Sequence, residues 1–212
     1  SMNAFISFKI AFVNHLARMS EALVVDVDQV TRVLQGAHQV TSGAYLRAGL
    51  SDSGACRPRD AFAMDELDMR LSGPMRTLWS LLIEERELHV QWLARRVASV
   101  AKAHNLPVII CGTAYKPGVP YQDGSIGLML SWCLTDCGVR TDCLWDPVVN
   151  AVETPPNIPA IYVLVTPHEQ ILSWLRTLIP DGSVVVDPWG VIDPHHFPAR
   201  VRSVRPGRNS LS

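Results

Sequence analysis

At Pro107 the spacing of apolar residues changes, and that change sets the folds open to the chain. Upstream, apolar positions recur at threes and fours, which predicts helices over about residues 3–24, 27–35, 58–70 and 75–104. Asp26 and Asp28 are both placed to cap the second helix, and Gly36 is placed to stop it. The fourth helix carries Leu78, Trp79, Leu82, Val90, Leu93 and Val97, with Arg86 and His89 breaking its stripe. At near 30 residues it would be about 45 Å long. A helix of that length is expected to bridge two domains, pack on a second subunit, or both; the alternative is a monomer in which it simply backs the C-terminal sheet. Downstream, short apolar runs at Val108–Cys111, Cys143–Trp145, Ala160–Val165 and Val184–Val186 alternate with helical stretches near 125–137 and 168–178. Strands apolar on both faces and separated by helices specify a doubly wound parallel sheet. The expected chain is therefore α/β: an all-helical part over 1–105 joined by a long helix to a Rossmann-like part over 106–212. Ligands on such sheets sit at the carboxyl ends of the strands. Thr113–Lys116, Asp146-Pro147, Thr166-Pro167 and Asp187-Pro188 all fall there.

Two stretches carry chemistry. Gly54-Ala55-Cys56-Arg57-Pro58-Arg59-Asp60 puts a thiol on a tight turn, with Pro58 expected at the first helical position. A cysteine just outside a helix N-terminus and flanked by Arg57 and Arg59 has its thiolate favoured, and Asp60 opposes that in part. The competing fate of Cys56 is that of a small buried hydrophobe. The second stretch runs from the Val108–Cys111 strand through Gly112-Thr113-Ala114-Tyr115-Lys116-Pro117 and a polar loop into a helix N-terminus. Strand, glycine, basic loop and helix N-terminus together suit an anion. Lys116 is either its contact or an ordinary solvated lysine.

In this order the stretches resemble the UDP-glucose/GDP-mannose dehydrogenase family. Asn3-Ala4-Phe5-Ile6-Ser7-Phe8-Lys9-Ile10 looks like the helix that starts the family's central domain. Gly54-Ala55-Cys56-Arg57-Pro58-Arg59-Asp60 stands where the family has Gly-Ser-Cys-x-Pro-Lys-Asp. Ala114-Tyr115-Lys116-Pro117 is similar to its Ala-Phe-Lys-Pro, and Leu144-Trp145-Asp146-Pro147 to its Val-Tyr-Asp-Pro. The resemblance implies that Cys56 is the nucleophile, Asp60 the carboxylate that orders the hydrolytic water, and Asn3 a polar partner near the reacting carbon. It implies substrate contacts at Lys116, Tyr115, Tyr45, Leu46, Gly54 and Arg59. The implied reaction oxidises a nucleotide-sugar C6 alcohol to a carboxylate at the expense of NAD, through a cysteine thiohemiacetal and thioester. A cytoplasmic homodimer assembled through the central helices, acting in polysaccharide biosynthesis, completes the expectation.

Departures from the family pattern matter equally. NAD is expected to be held mainly by an N-terminal domain missing here, because no Gly-x-Gly-x-x-Gly occurs in the 212 residues. Ser1 ahead of Met2 reads as the remnant of an added tag, and the chain alone is expected neither to hold NAD tightly nor to turn over. The glycines before the nucleophile are replaced by Ser51-Asp52-Ser53, and the motif lysine is Arg59. The inter-subunit arginine reads Val40 or a neighbour, and a late arginine-bearing segment reads Asp187-Pro188-Trp189-Gly190. The alternative reading is therefore a non-catalytic nucleotide-sugar-binding and dimerisation module that has diverged from the family. A third, a stand-alone thiol enzyme with a histidine base, needs His38 or His168 near Cys56, and no sequence feature places either there.

Charge and composition exclude other classes. With 19 basic and 20 acidic residues the net charge is −1, which leaves no footprint for nucleic acid or anionic membrane. The arginines of Arg200–Arg208 read as an edge strand followed by a frayed terminus. Ala160–Val165 is far too short to span a bilayer. Phe5, Phe8, Phe12, Leu16 and Met19 repeat at helical spacing, so the apolar start reads as a packing face rather than a signal sequence. The five cysteines are odd in number, and Cys133, Cys137 and Cys143 read as structural thiols rather than a metal site. His195-His196 reads as a loop or helix start, and no metal is expected.

Overall fold

The computed structural model describes residues 2–38, 43–49, 53–73, 77–150 and 154–208. Val40, Ser51 and Asp52, singled out above, lie outside the described residues, as do Pro74 and Met75 near the expected start of the long helix. Four helices come first: α1 (Met2–Ala22), α2 (Val27–Gly36), α3 (Cys56–Ser72) and α4 (Leu78–His104). Then follow β1 (Val108–Cys111), α5 (Ile126–Asp136), β2 (Thr141–Trp145), β3 (Ile161–Leu164), α6 (Glu169–Thr177), β4 (Val184–Val186) and β5 (Arg202–Val204).

Local chemistry explains the helix ends. The Asp26 carboxylate accepts from the Asp28 N–H and caps α2. The Thr77 hydroxyl accepts from the N–H groups of Trp79 and Ser80, and Ser80 returns a bond from its side chain, giving α4 a capping box. At its other end Asn105 takes the left-handed conformation, with Lys102 and His104 in the last turn. At 27 residues α4 is about 40 Å long.

The sheet is five-stranded and wholly parallel, in the order β2-β1-β3-β4-β5. Side chains alternate across it. Val108, Ile110, Val163 and Val186 face a core shared with Leu93 and Val97 of α4 and Leu130 and Leu134 of α5. Ile109, Tyr162, Leu164 and Val185 face the opposite core with Ile171, Trp174 and Leu175 of α6. Burial on both faces is why these strands are continuous apolar runs. In this strand order the connections reverse direction between β1 and β3, so a crevice opens at their carboxyl ends.

The sequence reading needs three corrections. Helix α3 begins at Cys56, not Pro58, so Cys56 is itself the first helical residue. Its first i to i−4 bond is from the Arg59 N–H to the Ala55 carbonyl. Pro58 still fits, because N–H groups of the first turn have no partner to lose. The aromatic stripe of α1 is not its core face within this chain: Phe5 is 64% and Phe12 52% exposed. The packed face is instead Ala4, Ser7, Ile10, Val13, Asn14 and Ala17, whose small side chains let α1 lie close against α4. Finally, the chain beyond β5 is ordered through Arg208, which is buried and spans back to the first helices. Its guanidinium donates to both Asp28 carboxylate oxygens, at 2.8 and 3.1 Å, and to the carbonyls of Pro188 and Ala48, at 2.7 and 2.9 Å.

Candidate active site

The nucleophile segment and the lysine loop are fastened together. The Ser53 hydroxyl donates to the Tyr115 carbonyl at 2.6 Å. Gly54, at φ +92°, lies under the Tyr115 ring; a Cβ there would meet Tyr115 Cδ2 at 2.8 Å. Gly124 closes on the same point, since a Cβ on it would come within 2.6 Å of the Gly54 carbonyl oxygen. Only glycine at 54 satisfies both the backbone conformation and the approach. Arg57 ties the turn by donating to the Ser53 carbonyl at 3.1 Å. The turn delivers Cys56 exposed, at the N-terminus of α3. Burial pushes the thiols of Cys111, Cys133 and Cys143 up, which makes those three poor nucleophiles.

One turn along α3, Asp60 accepts a 2.8 Å hydrogen bond from the Asn3 amide of α1. That bond, with Arg59 at 3.6 Å, holds the Asp60 carboxyl below its ordinary range despite partial burial. Asp60 and Asn3 are thus joined one turn along α3 from Cys56, and none of the three lines the neighbouring cavity.

Beside them is a cavity of about 480 Å³ at the carboxyl ends of β1 and β3. Its wall includes Ser53 and Arg57 from the nucleophile turn, Tyr115, Lys116 and Pro117 from the loop after β1, and Thr166 and Pro167 after β3. Tyr45, Arg47 and Trp189 line it as well. Among the described lining residues are three cations and no carboxylate, so its field favours an anion. Lys116 Nζ lies 5.3 Å from the Tyr115 ring centroid. Of the substrate contacts expected from the sequence, Tyr45, Tyr115 and Lys116 line the cavity, Gly54 packs beneath its wall and Arg59 is an exposed neighbour of Asp60. Leu46 is buried in the protein and is absent from that wall; its carbonyl accepts from Gln35.

Two supports of this cavity join residues far apart in the sequence. The first lies under the lysine loop. Asp146, fully buried, accepts from the N–H groups of Thr113 and Ala114 at 2.6 and 2.7 Å. His168, also buried, reaches Asp146 with Nε2 at 3.2 Å while its Nδ1 accepts from the Gly118 N–H at 3.2 Å. Nδ1 as acceptor fixes Nε2 as the protonated nitrogen. Burial alone would raise the Asp146 carboxyl, but the bonds from His168, Ala114 and Thr113 outweigh it and hold Asp146 well below the usual range. His168 thus braces the lysine loop and is not a base for Cys56.

The second support holds the segment Tyr45–Gly49. His89 of α4, buried, bonds through Nε2 to the Gly49 carbonyl at 2.6 Å, and the Asn14 amide oxygen accepts the Gly49 N–H at 3.1 Å. Arg47 donates to the Gly190 carbonyl at 2.9 Å. What read as an interruption of the α4 stripe is therefore a satisfied polar contact in the core. The residues that could have signalled it lie about forty positions apart.

Residues 1–84 match the sequence model of the UDP-glucose/GDP-mannose dehydrogenase family, central domain. That part of the chain is similar to the family's central domain. The UDP-glucose 6-dehydrogenase of Rickettsia bellii is 27% identical over 166 residues, covering 76% of this chain and 37% of that protein. That of Pseudomonas aeruginosa is 28% identical over 152 residues, covering 70% and 33%. Among solved structures, a UDP-D-ManNAc dehydrogenase from Pyrococcus horikoshii superposes with a TM-score of 0.74 at 18% identity, over 98% of this chain and 50% of that one. A UDP-glucose dehydrogenase from Pyrobaculum islandicum gives 0.67 at 20%, over 95% and 48%. The chain thus spans about half the length of these structures and about a third of these curated relatives. The structural likeness confirms the expected α/β fold with its parallel, Rossmann-like sheet. Among the described residues no helix is long and apolar enough to cross a membrane, and no cluster of metal-ligating side chains occurs.

Proposed function

We propose that the chain is the nucleophile-bearing and nucleotide-sugar-holding part of an NAD-dependent dehydrogenase that oxidises a sugar C6 alcohol to a carboxylate. The observation that carries this reading is the fastening of the turn that bears Cys56 to the Tyr115–Lys116 loop, with Ser53 and Arg57 of that turn and Tyr115 and Lys116 of that loop lining one cation-rich cavity. The division into a helical part over 1–105 and a nucleotide-sugar-binding part over 106–212 belongs to the same proposal, with the cavity between them.

The roles follow from chemistry. Lys116, with Arg47 and Arg57, holds the diphosphate. Cys56 attacks the C6 aldehyde: the sulfur–carbon bond forms and the carbonyl oxygen takes a proton, giving a thiohemiacetal. At the thioester stage water adds to the carbonyl carbon, the carbon–sulfur bond breaks and the thiolate leaves. Asp60, kept ionised by Asn3, orders that water and accepts its proton. A thiol suits the task because it is strongly nucleophilic at neutral pH.

Oxidation also requires a hydride acceptor, and the family implies NAD. The described residues do not fit it. The glycine after β1, Gly112, is closed over by Thr166, 2.5 Å from where its Cβ would stand, and its carbonyl is packed by Gly127. The Tyr115–Tyr121 loop separates it from the α5 N-terminus, so no dinucleotide cradle forms there. We place no step on the cofactor and assign its binding to a part of the whole enzyme outside these residues. A second copy of the chain is proposed to cover the exposed Phe5, Phe12, Leu78 and Leu81 of α1 and α4, giving the homodimer.

Calorimetric titration of UDP-glucose into the chain tests the reading. Binding in the micromolar range, weakened about tenfold or more by Lys116→Ala, is expected from loss of a charged contact. No binding, or binding indifferent to Lys116, refutes it.

A further inference from the structure

Trp189, an aromatic wall of the cavity, is fixed at both its backbone and its ring. Its backbone N–H donates to the Asp187 carboxylate at 3.1 Å, and its indole N–H donates to the Val165 carbonyl at 2.8 Å. Its six-membered ring rests on the Gly49 backbone: a Cβ at Gly49 would lie 2.6 Å from Cε3 and 3.1 Å from Cδ2 and Cζ3. Gly49 is itself pinned by His89 and Asn14, and the adjoining strand end by the bond from Arg47 to the Gly190 carbonyl. The indole N–H, the one polar group of the ring, is already bonded, so the surface left to the cavity is purely aromatic. Arg47, bonded to the carbonyl of the next residue, and Tyr45 line the same cavity, which adds a cation and a second ring to it.

We propose that Trp189 is a specificity-determining residue that stacks on the nucleobase of the bound nucleotide. The proposal rests on the nucleotide-sugar reading above and deepens it. Phosphates gain little from an apolar ring whose donor is satisfied, whereas every base has a π-face to lay on it; UDP and GDP, which carry no hexose, separate base stacking from contact with the hexose. A platform fixed by two hydrogen bonds and a glycine floor is preorganised, so little ordering opposes the contact. Stacking is tolerant of base identity, so Trp189 selects for the presence of a base and not for uracil over guanine.

The test compares UDP, GDP and inorganic pyrophosphate by calorimetry on wild type, Trp189→Leu and Trp189→Phe, with Lys116→Ala as reference. Leu keeps apolar packing against Gly49 but removes the π-face; Phe restores one. UDP and GDP are expected to weaken by about 5- to 100-fold in Trp189→Leu and by less than about 5-fold in Trp189→Phe. Pyrophosphate affinity is expected to stay within about 2-fold in both. UDP binding unchanged in Trp189→Leu but lost in Lys116→Ala overturns the stacking role and leaves the site assignment standing. Equal weakening of UDP and pyrophosphate overturns it too, by showing a merely structural residue. Wild type that binds neither UDP nor GDP removes the site assignment and this inference together.

Discussion

Acid should loosen the cavity through His89. The buried imidazole is neutral in the folded protein: burial, with Arg18 adding to it, lowers its pKa from 6.5 to about 4 against the pull of the Gly49 carbonyl. In the unfolded chain the same group titrates near 6.5. Below that value the unfolded state binds a proton that the folded state refuses, so stability falls as pH drops and levels off once the folded value is passed. The gap of about 2.5 pH units, at 1.36 kcal/mol each, corresponds to about 3.4 kcal/mol in full. Between pH 7 and 5 the share lost is about 2 kcal/mol. Urea unfolding of wild type and His89→Gln at pH 7, 6 and 5 measures it. Gln can still donate to the Gly49 carbonyl but does not titrate. The wild type should lose about 2 kcal/mol more than the variant over that range. Parallel pH profiles would show that His89 is not the buried neutral group described.

Three further outcomes follow from the packing. Gly54→Ala forces a Cβ into the Tyr115 ring at positive φ and should cost about 1–3 kcal/mol in chemical denaturation, with UDP-glucose affinity falling in parallel. Arg208→Ala leaves Asp28 and two buried carbonyls unpartnered and should cost about 2–4 kcal/mol in the same assay. Phe12→Asp with Leu81→Asp, both exposed positions, should convert a dimer to a monomer in sedimentation velocity and leave the helical circular dichroism intact; an unchanged sedimentation coefficient would contradict the dimer face.

The fold was legible where local rules act alone. The change of period at Pro107 marks the start of the sheet, because strands buried on both faces cannot hide their composition. The Asp26 cap and the α4 span were readable for the same reason, to within a few residues. The start of α3 was misplaced because proline tolerates any of the first helical positions, and the cysteine needs no special conformation to enter the helix. Direction within α1 failed differently. Aromatic and small residues share one period, and only the partner helix decides which face closes.

At the site, the nucleophile turn, the lysine loop and the Asp146 strand end were recognisable as motifs, while the histidine pairings that support them were not. His168 and Asp146 are 22 residues apart, and His89 and Gly49 are 40 apart. Nothing in either neighbourhood distinguishes a bracing histidine from a solvated one. Trp189 meets Gly49, and Gly190 meets Arg47, only because the chain after β4 folds back on the segment that follows α2.

The most direct test of the whole account is the alkylation rate of Cys56 by iodoacetamide, measured by peptide mass against pH, with and without saturating UDP-glucose. Labelling at Cys56 well ahead of Cys111, Cys133 and Cys143 near neutral pH, slowed about tenfold or more by the nucleotide-sugar, is the expected result. Slow labelling of Cys56, or a rate that UDP-glucose does not change while it binds, would contradict a thiol and a lysine serving one cavity.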